Sequence, residues 1–126
     1  MFRISQYMRE LAKAEATGQY PVVRDRKATG PVVIWNLIRR CNLTCKHCYA
    51  LSADHDYAGE LGTQEVYTVM DDLRAFGVPV LILSGGEPLM RPALFDIAAR
   101  ARGMGFYIGL STNGTLIDEP IADRVT

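Results

Sequence analysis

The stretch Val32-Val33-Ile34-Trp35-Asn36-Leu37-Ile38-Arg39-Arg40-Cys41-Asn42-Leu43-Thr44-Cys45-Lys46-His47-Cys48 decides how the rest of the chain is read. Its first seven residues are mostly apolar, as strands buried in a parallel sheet are. All three cysteines of the chain then fall within eight residues, spaced Cys-x-x-x-Cys-x-x-Cys. Three thiolates on one short loop can hold three corners of a cubane iron–sulfur cluster and leave its fourth iron without a protein ligand. An iron left open in that way is where a small molecule can bind and react.

Other uses of three cysteines fit less well. A disulfide framework wants an even count in a secreted chain, and three leave one over. The opening Met1-Phe2-Arg3-Ile4-Ser5 has no signal-peptide apolar run, and no stretch approaches membrane-spanning length, so a reducing cytoplasmic compartment is expected. Structural zinc is the stronger rival, with His47 as a fourth ligand. Zinc sites usually take ligands from two separated knuckles, and His47 stands directly before Cys48, where adjacent side chains diverge. The spacing favours iron–sulfur and leaves zinc open.

Composition sets bounds on function. Fourteen basic and fourteen acidic side chains balance, which argues against nucleic acid as the main partner. Apolar content of 48% describes an ordinary globular chain with one core, and nothing in it calls for a membrane.

Outward from the cysteines, strands and helices alternate. Residues 2–16 carry Phe2, Ile4, Tyr7, Met8, Leu11 and Ala12 on a helical face, and 17–30 read as a linker. After a polar loop over 51–62, Thr63 is the expected cap of a helix over 64–76 whose Val66, Met70, Leu73 and Phe76 share a face, with Gly77 ending it. Pro79–Leu83 is a second buried strand running into Ser84-Gly85-Gly86-Glu87-Pro88. Pro92 suits the first turn of the next helix, with Leu94, Phe95, Ile97 and Ala98 inward and Gly103 at its end. Phe106–Leu110 is a third strand leading into Ser111-Thr112-Asn113-Gly114, and Asp118 caps a further helix. The expected fold class is α/β, in βαβαβ order with the start of another helix. Residues 1–30 form a helix and linker, and 31–126 the core.

Three motifs follow the carboxyl ends of three strands, the edge where ligand sites collect in parallel α/β sheets and barrels. Gly85 and Gly86 let a backbone come close to a ligand because no Cβ intrudes, although a lone Gly-Gly more often marks a plain turn. Glu87 offers a carboxylate suited to an ammonium group, and Pro88 stiffens the turn. His47 and Tyr49 offer flat rings suited to a purine, with local packing as the ordinary alternative. Asn113-Gly114 alone is an ordinary turn signal.

Cys-x-x-x-Cys-x-x-Cys after a first strand, with Gly-Gly-Glu-Pro ending the second, resembles the radical S-adenosylmethionine (SAM) superfamily. The resemblance implies the N-terminal part of a partial (β/α)6 TIM-like barrel, with three parallel strands present. It implies that Cys41, Cys45 and Cys48 hold a [4Fe–4S] cluster whose open iron takes the amino and carboxylate groups of SAM. His47 would contact the adenine. Gly85, Gly86 and Glu87 would hold the methionyl ammonium through carbonyls and the carboxylate, with Thr112 and Asn113 as further polar contacts. The chemistry implied is one-electron cleavage of SAM to a 5′-deoxyadenosyl radical, with reduced ferredoxin or flavodoxin as electron donor.

A narrower resemblance rests on Val32–Asn36, Arg39-Arg40-Cys41, Tyr49-Ala50-x-Ser52-Ala53-Asp54, Gly59-Glu60-Leu61, Phe76-Gly77-Val78 and Ser111–Asp118. These are similar to the heme d1 biosynthesis radical SAM proteins, which implies a tetrapyrrole substrate, didecarboxysiroheme, attacked at its propionate side chains. Arg39, Arg40 and Arg91 are candidate propionate clamps, with solvated loop arginines as the alternative. Related enzymes of heme synthesis and peptide maturation share these motifs, and a non-catalytic iron–sulfur or zinc module is the rival class. Beside such a family the chain is short, so it is expected to be the N-terminal fragment of a longer protein and inactive alone.

Overall fold

A computed structural model describes residues 4–18 and 30–125. The opening three residues and most of the expected linker lie outside the described residues. The elements run α1 (Ile4–Thr17), β1 (Val32–Ile38), α2 (Thr63–Ala75), β2 (Val80–Gly85), α3 (Leu94–Gly103), β3 (Tyr107–Leu110) and α4 (Glu119–Val125), with a short 3-10 turn at Pro88–Met90. The three strands form one parallel sheet in the order β1-β2-β3. Sequential parallel strands with their crossover helices touching each other over one face fit part of a barrel wall.

That shared face is the core. Leu37, Leu81 and Leu83 of the sheet meet Val66 and Met70 of α2 and Leu94, Ile97 and Ala101 of α3, closed by Val78 and Phe106. The opposite face alternates with it, as strand geometry demands, and leaves Val32, Ile34 and Tyr107 exposed. Its residues pair in rows, Val32 with Val80 and Tyr107, then Ile34 with Ile82 and Gly109, then Asn36 with Ser84. Toward the carboxyl edge the rows turn from apolar to polar.

Several local expectations are corrected. Thr63 is the first helical residue rather than the cap; Gly62 takes that place, and the Glu65 carboxylate accepts its N–H at 2.7 Å. Phe76 leaves the shared face and is 78% exposed, because the helix closes at Ala75 and Gly77 turns left-handed at φ +87°. α3 starts at Leu94 instead of at Pro92, since Pro88–Met90 and Pro92-Ala93 spend the chain on turns first. Gly103 ends α3 as expected, and Gly105 beyond it carries the positive φ. On α1, Met8 and Ala12 are exposed while Ala14 is buried. Asp118 caps α4 as expected, accepting the Ile121 N–H at 2.9 Å.

β2 runs further than its apolar letters suggest and takes in Ser84 and Gly85. Between Asn36 and Ile38 the β1–β2 register slips by one residue, a bulge at Leu37. Leu37 and Ile38 are both buried as a result. The bulge bends β1 where it enters the cysteine loop.

Candidate metal centre and cofactor site

Pairing between the first two strands continues past their ends. Gly86 N–H donates to Ile38 O at 2.7 Å and Glu87 N–H donates to Arg40 O at 2.9 Å, so the Gly-Gly-Glu segment lies alongside the entry to the cysteine loop. The two glycines are required by that approach. Gly85 holds φ +147°, and a Cβ there would overlap the Ile38 carbonyl; one on Gly86 would overlap the carbonyls of Arg39 and Arg40. The close contact expected from this pair is therefore made to the chain's own backbone. Both glycines remain partly exposed.

Glu87 is completely buried. Its Oε1 accepts from Leu89 N–H at 2.9 Å and Thr112 Oγ1–H at 2.8 Å, and its Oε2 accepts from Asn113 N–H at 2.8 Å. Three of about four acceptor positions of the carboxylate are thus used, with one left on Oε2. The side chain fastens the end of β2 to the loop after β3. With that side chain buried, the backbone strap of Gly85 and Gly86 is the partly exposed part of the segment.

The third loop reaches the cysteines directly. Asn113 Nδ2 donates to Asn42 Oδ1 at 3.0 Å and approaches Cys41 Sγ at 3.8 Å, while Asn42 Nδ2 donates to Thr115 Oγ1 at 2.8 Å. Cys41 is buried, and its sulfur also accepts the Leu43 N–H at 3.4 Å. Cys45 is exposed and Cys48 partly so, and none of the three is in a disulfide. Cys48 N–H donates to Cys45 O at 3.1 Å, turning the loop, and Cys41 N–H donates to Ala53 O at 3.1 Å, tying it to the segment beyond. Backbone hydrogen bonding from Ser52 pushes the Cys48 thiol below its usual range, against an opposing push from burial. The main chain of Ser52 is the largest cause, its side chain a smaller one, and the buried Ser52 hydroxyl meets no partner within hydrogen-bond geometry.

The remaining sequence candidates fall into two groups. His47 and Tyr49 are exposed beside the cysteines, and Tyr49 Oη–H donates to Asn36 Oδ1 at 3.2 Å, joining the loop to the polar end of the open sheet face. The arginines are held by the chain itself. Arg91 is buried, donating to the carbonyl of Leu37 at the bulge and to Leu61 O at 2.8 Å, so it serves as a strut rather than an anion clamp. Arg40 is paired with Asp54 and Asp56 at 2.8 and 3.0 Å, which hold its guanidinium charged. Arg39 stacks over Tyr57 at 4.4 Å and donates to Ala50 O at 3.2 Å. These contacts fold the 50–60 segment around the cysteine loop. Sequence reasoning gave no site role to Asn42, Ser52 and Thr115, although Ser52 and Thr115 lie in the stretches that carry the narrower resemblance.

The donor set suits a cluster. Three thiols spaced along one loop suit separated irons that take one thiolate each. A model of the radical SAM superfamily matches residues 35–125. The chain belongs to the radical SAM superfamily. That membership makes it part of an enzyme family and brings a [4Fe–4S] cluster and SAM as cofactors.

Three curated relatives place the chain within the superfamily. It is 50% identical to a pre-heme d1 synthase of Dinoroseobacter shibae, over 99% of this chain and 30% of that protein. It is 50% identical to an Fe-coproporphyrin III synthase of Methanosarcina barkeri, over 81% of this chain and 25% of the relative. An AdoMet-dependent heme synthase of the same organism is 43% identical over 75% of this chain and 27% of its own length. The chain thus spans less than a third of these radical SAM relatives. No helix among the described residues is long and apolar enough to cross a membrane.

Proposed function

We propose that the protein carrying these residues is a radical SAM enzyme of tetrapyrrole biosynthesis, acting on propionate side chains of didecarboxysiroheme toward heme d1. The observation that carries this reading is the 50% identity to a pre-heme d1 synthase over nearly the whole chain. Cys41, Cys45 and Cys48 hold the cluster. His47 lies on the adenine side, and Gly85, Gly86, Thr112 and Asn113 form the wall for the methionyl end. Burial of Glu87 supports a reading in which the carbonyls of Gly85 and Gly86 take most of the ammonium, with the carboxylate as the brace that presents them and Oε2 holding the spare acceptor position. Cluster and SAM together supply one-electron cleavage to a 5′-deoxyadenosyl radical that takes hydrogen from carbon. The chain's own part is to bind, orient and exclude water, which the strapping of the three loops supports. A reduced ferredoxin or flavodoxin is the electron donor of this reading.

The test uses the full-length protein, reconstituted anaerobically, reduced with dithionite and given SAM. 5′-Deoxyadenosine should form, and should vanish in Cys45→Ala. No product from a protein holding about four irons per primary site would sink the enzyme reading and favour a passive cluster module. Equal identity to an Fe-coproporphyrin III synthase supports a second reading, action on another tetrapyrrole. Parallel incubations with didecarboxysiroheme and other tetrapyrroles, read by product mass, separate the two.

A further inference from the structure

We propose that Asn113 is a positioning residue whose side-chain amide donates to the Cys41 sulfur and raises the reduction potential of the cluster. The inference rests on the preceding reading of Cys41 as a cluster ligand. The amide's orientation is fixed by its neighbours. Asn113 Oδ1 accepts from Thr115 N–H at 2.9 Å and from Thr115 Oγ1–H at 2.7 Å. A main-chain N–H can only donate, so the oxygen faces Thr115 and the NH2 group faces the cysteine loop. One of its protons goes to Asn42 Oδ1 at 3.0 Å, and the other points to Cys41 Sγ at 3.8 Å, within the longer reach of sulfur. Asn42 Nδ2 returns to Thr115 Oγ1 at 2.8 Å and closes the ring. The Asn113 backbone is itself held by Glu87 at 2.8 Å.

Every polar atom of the Asn113 amide is thereby assigned, and the sulfur it meets belongs to the buried cysteine. Cys45 is exposed, so water dominates the field there; at Cys41 the protein does. A reduced cluster places more negative charge on its thiolates, so a donor aimed at one of them favours the reduced form. Thr115 and Asn42 set the aim. The loop after β3 thus bears on the electron-accepting step through the Cys41 sulfur.

The experiment is a redox titration of the reconstituted full-length protein, followed by electron paramagnetic resonance, for wild type, Asn113→Ala and Asn113→Asp. In Asn113→Ala the reduced-to-oxidised ratio at a set potential should fall about tenfold, the equivalent of about 59 mV for one electron. Asn113→Asp keeps the Thr115 contacts but turns an anionic oxygen toward sulfur, and should fall further. Midpoints equal to wild type in variants with full iron content would overturn the inference and leave Asn113 a loop brace. Should neither variant hold iron, wild type with isotopically labelled asparagine amide nitrogen decides: nitrogen coupling to the reduced cluster supports the assignment, and its absence overturns it. Failure of wild type itself to form a four-iron cluster would instead overturn the parent reading.

Discussion

Glu87 and Asn113 stand 26 residues apart in sequence, yet the carboxylate of one accepts the backbone N–H of the other at 2.8 Å. The same carboxylate takes Thr112 and Leu89. Two strand ends and the turn between them therefore share one buried anion, compensated by three donors. Hydrogen bonds to a charged group contribute more than neutral ones, and a buried donor left unmet is costly.

Glu87→Gln should accordingly weaken the fold despite its near-identical shape. Whichever way the new amide turns, its NH2 group faces a donor, either Asn113 N–H or the pair from Leu89 and Thr112. A loss of about 1.5–3 kcal/mol is expected, read by denaturant unfolding of the metal-free full-length protein. Unchanged stability would show that the carboxylate is held less firmly than its three contacts imply.

Gly86→Ala tests the close approach of the strap to the cysteine loop. The added methyl meets the carbonyls of Arg39 and Arg40, which cannot retreat without moving Cys41. The expected cost is about 1–3 kcal/mol or more, with lower iron uptake on reconstitution. Gly103→Ala is the control, since a Cβ there meets open space; it should leave the melting temperature equal or slightly higher. Equal behaviour of the two variants would contradict the packing.

How far the sequence led can be judged on particular residues. β1 was legible to the residue, because a continuous apolar run ending in a chemical motif leaves little choice of boundary. Convergence of the three loops followed from strand direction alone. Phe76 and Pro92 misled because a helix's last turn and its approach are set by competing turns rather than by periodicity. Arg91 looked like a surface cation, since its task comes from a bulge at Leu37 that exists only once β1 has paired with β2. Asn42 and Thr115 lie over seventy residues apart, and nothing local announces their hydrogen bond.

Arg91→Lys separates a strut from a substrate clamp. Lysine retains the charge but cannot reach the Leu37 and Leu61 carbonyls together with the planar fork that arginine offers. Stability should fall by about 1–3 kcal/mol as a buried carbonyl loses its donor. The KM for a propionate-bearing substrate should stay within error wherever the variant folds. A raised KM at unaltered stability would return Arg91 to the substrate site.

Cys48 and Ser52 give a pH-dependent expectation for the metal-free chain. The Ser52 main chain favours the Cys48 thiolate, so the folded-state pKa lies below the unfolded one. With the folded value depressed, the unfolded chain binds more protons between the two, and stability rises with pH across that interval. The contribution is complete above the unfolded thiol value of about 8.5 and disappears as pH falls through the lowered folded value. Rates of Cys48 alkylation against pH, followed by mass spectrometry, should show a midpoint below that of a free thiol. Ser52→Ala should preserve most of the depression, because the backbone of Ser52 is its largest cause and the hydroxyl has no geometric partner. A midpoint restored to the ordinary thiol value by Ser52→Ala would move the effect from main chain to side chain.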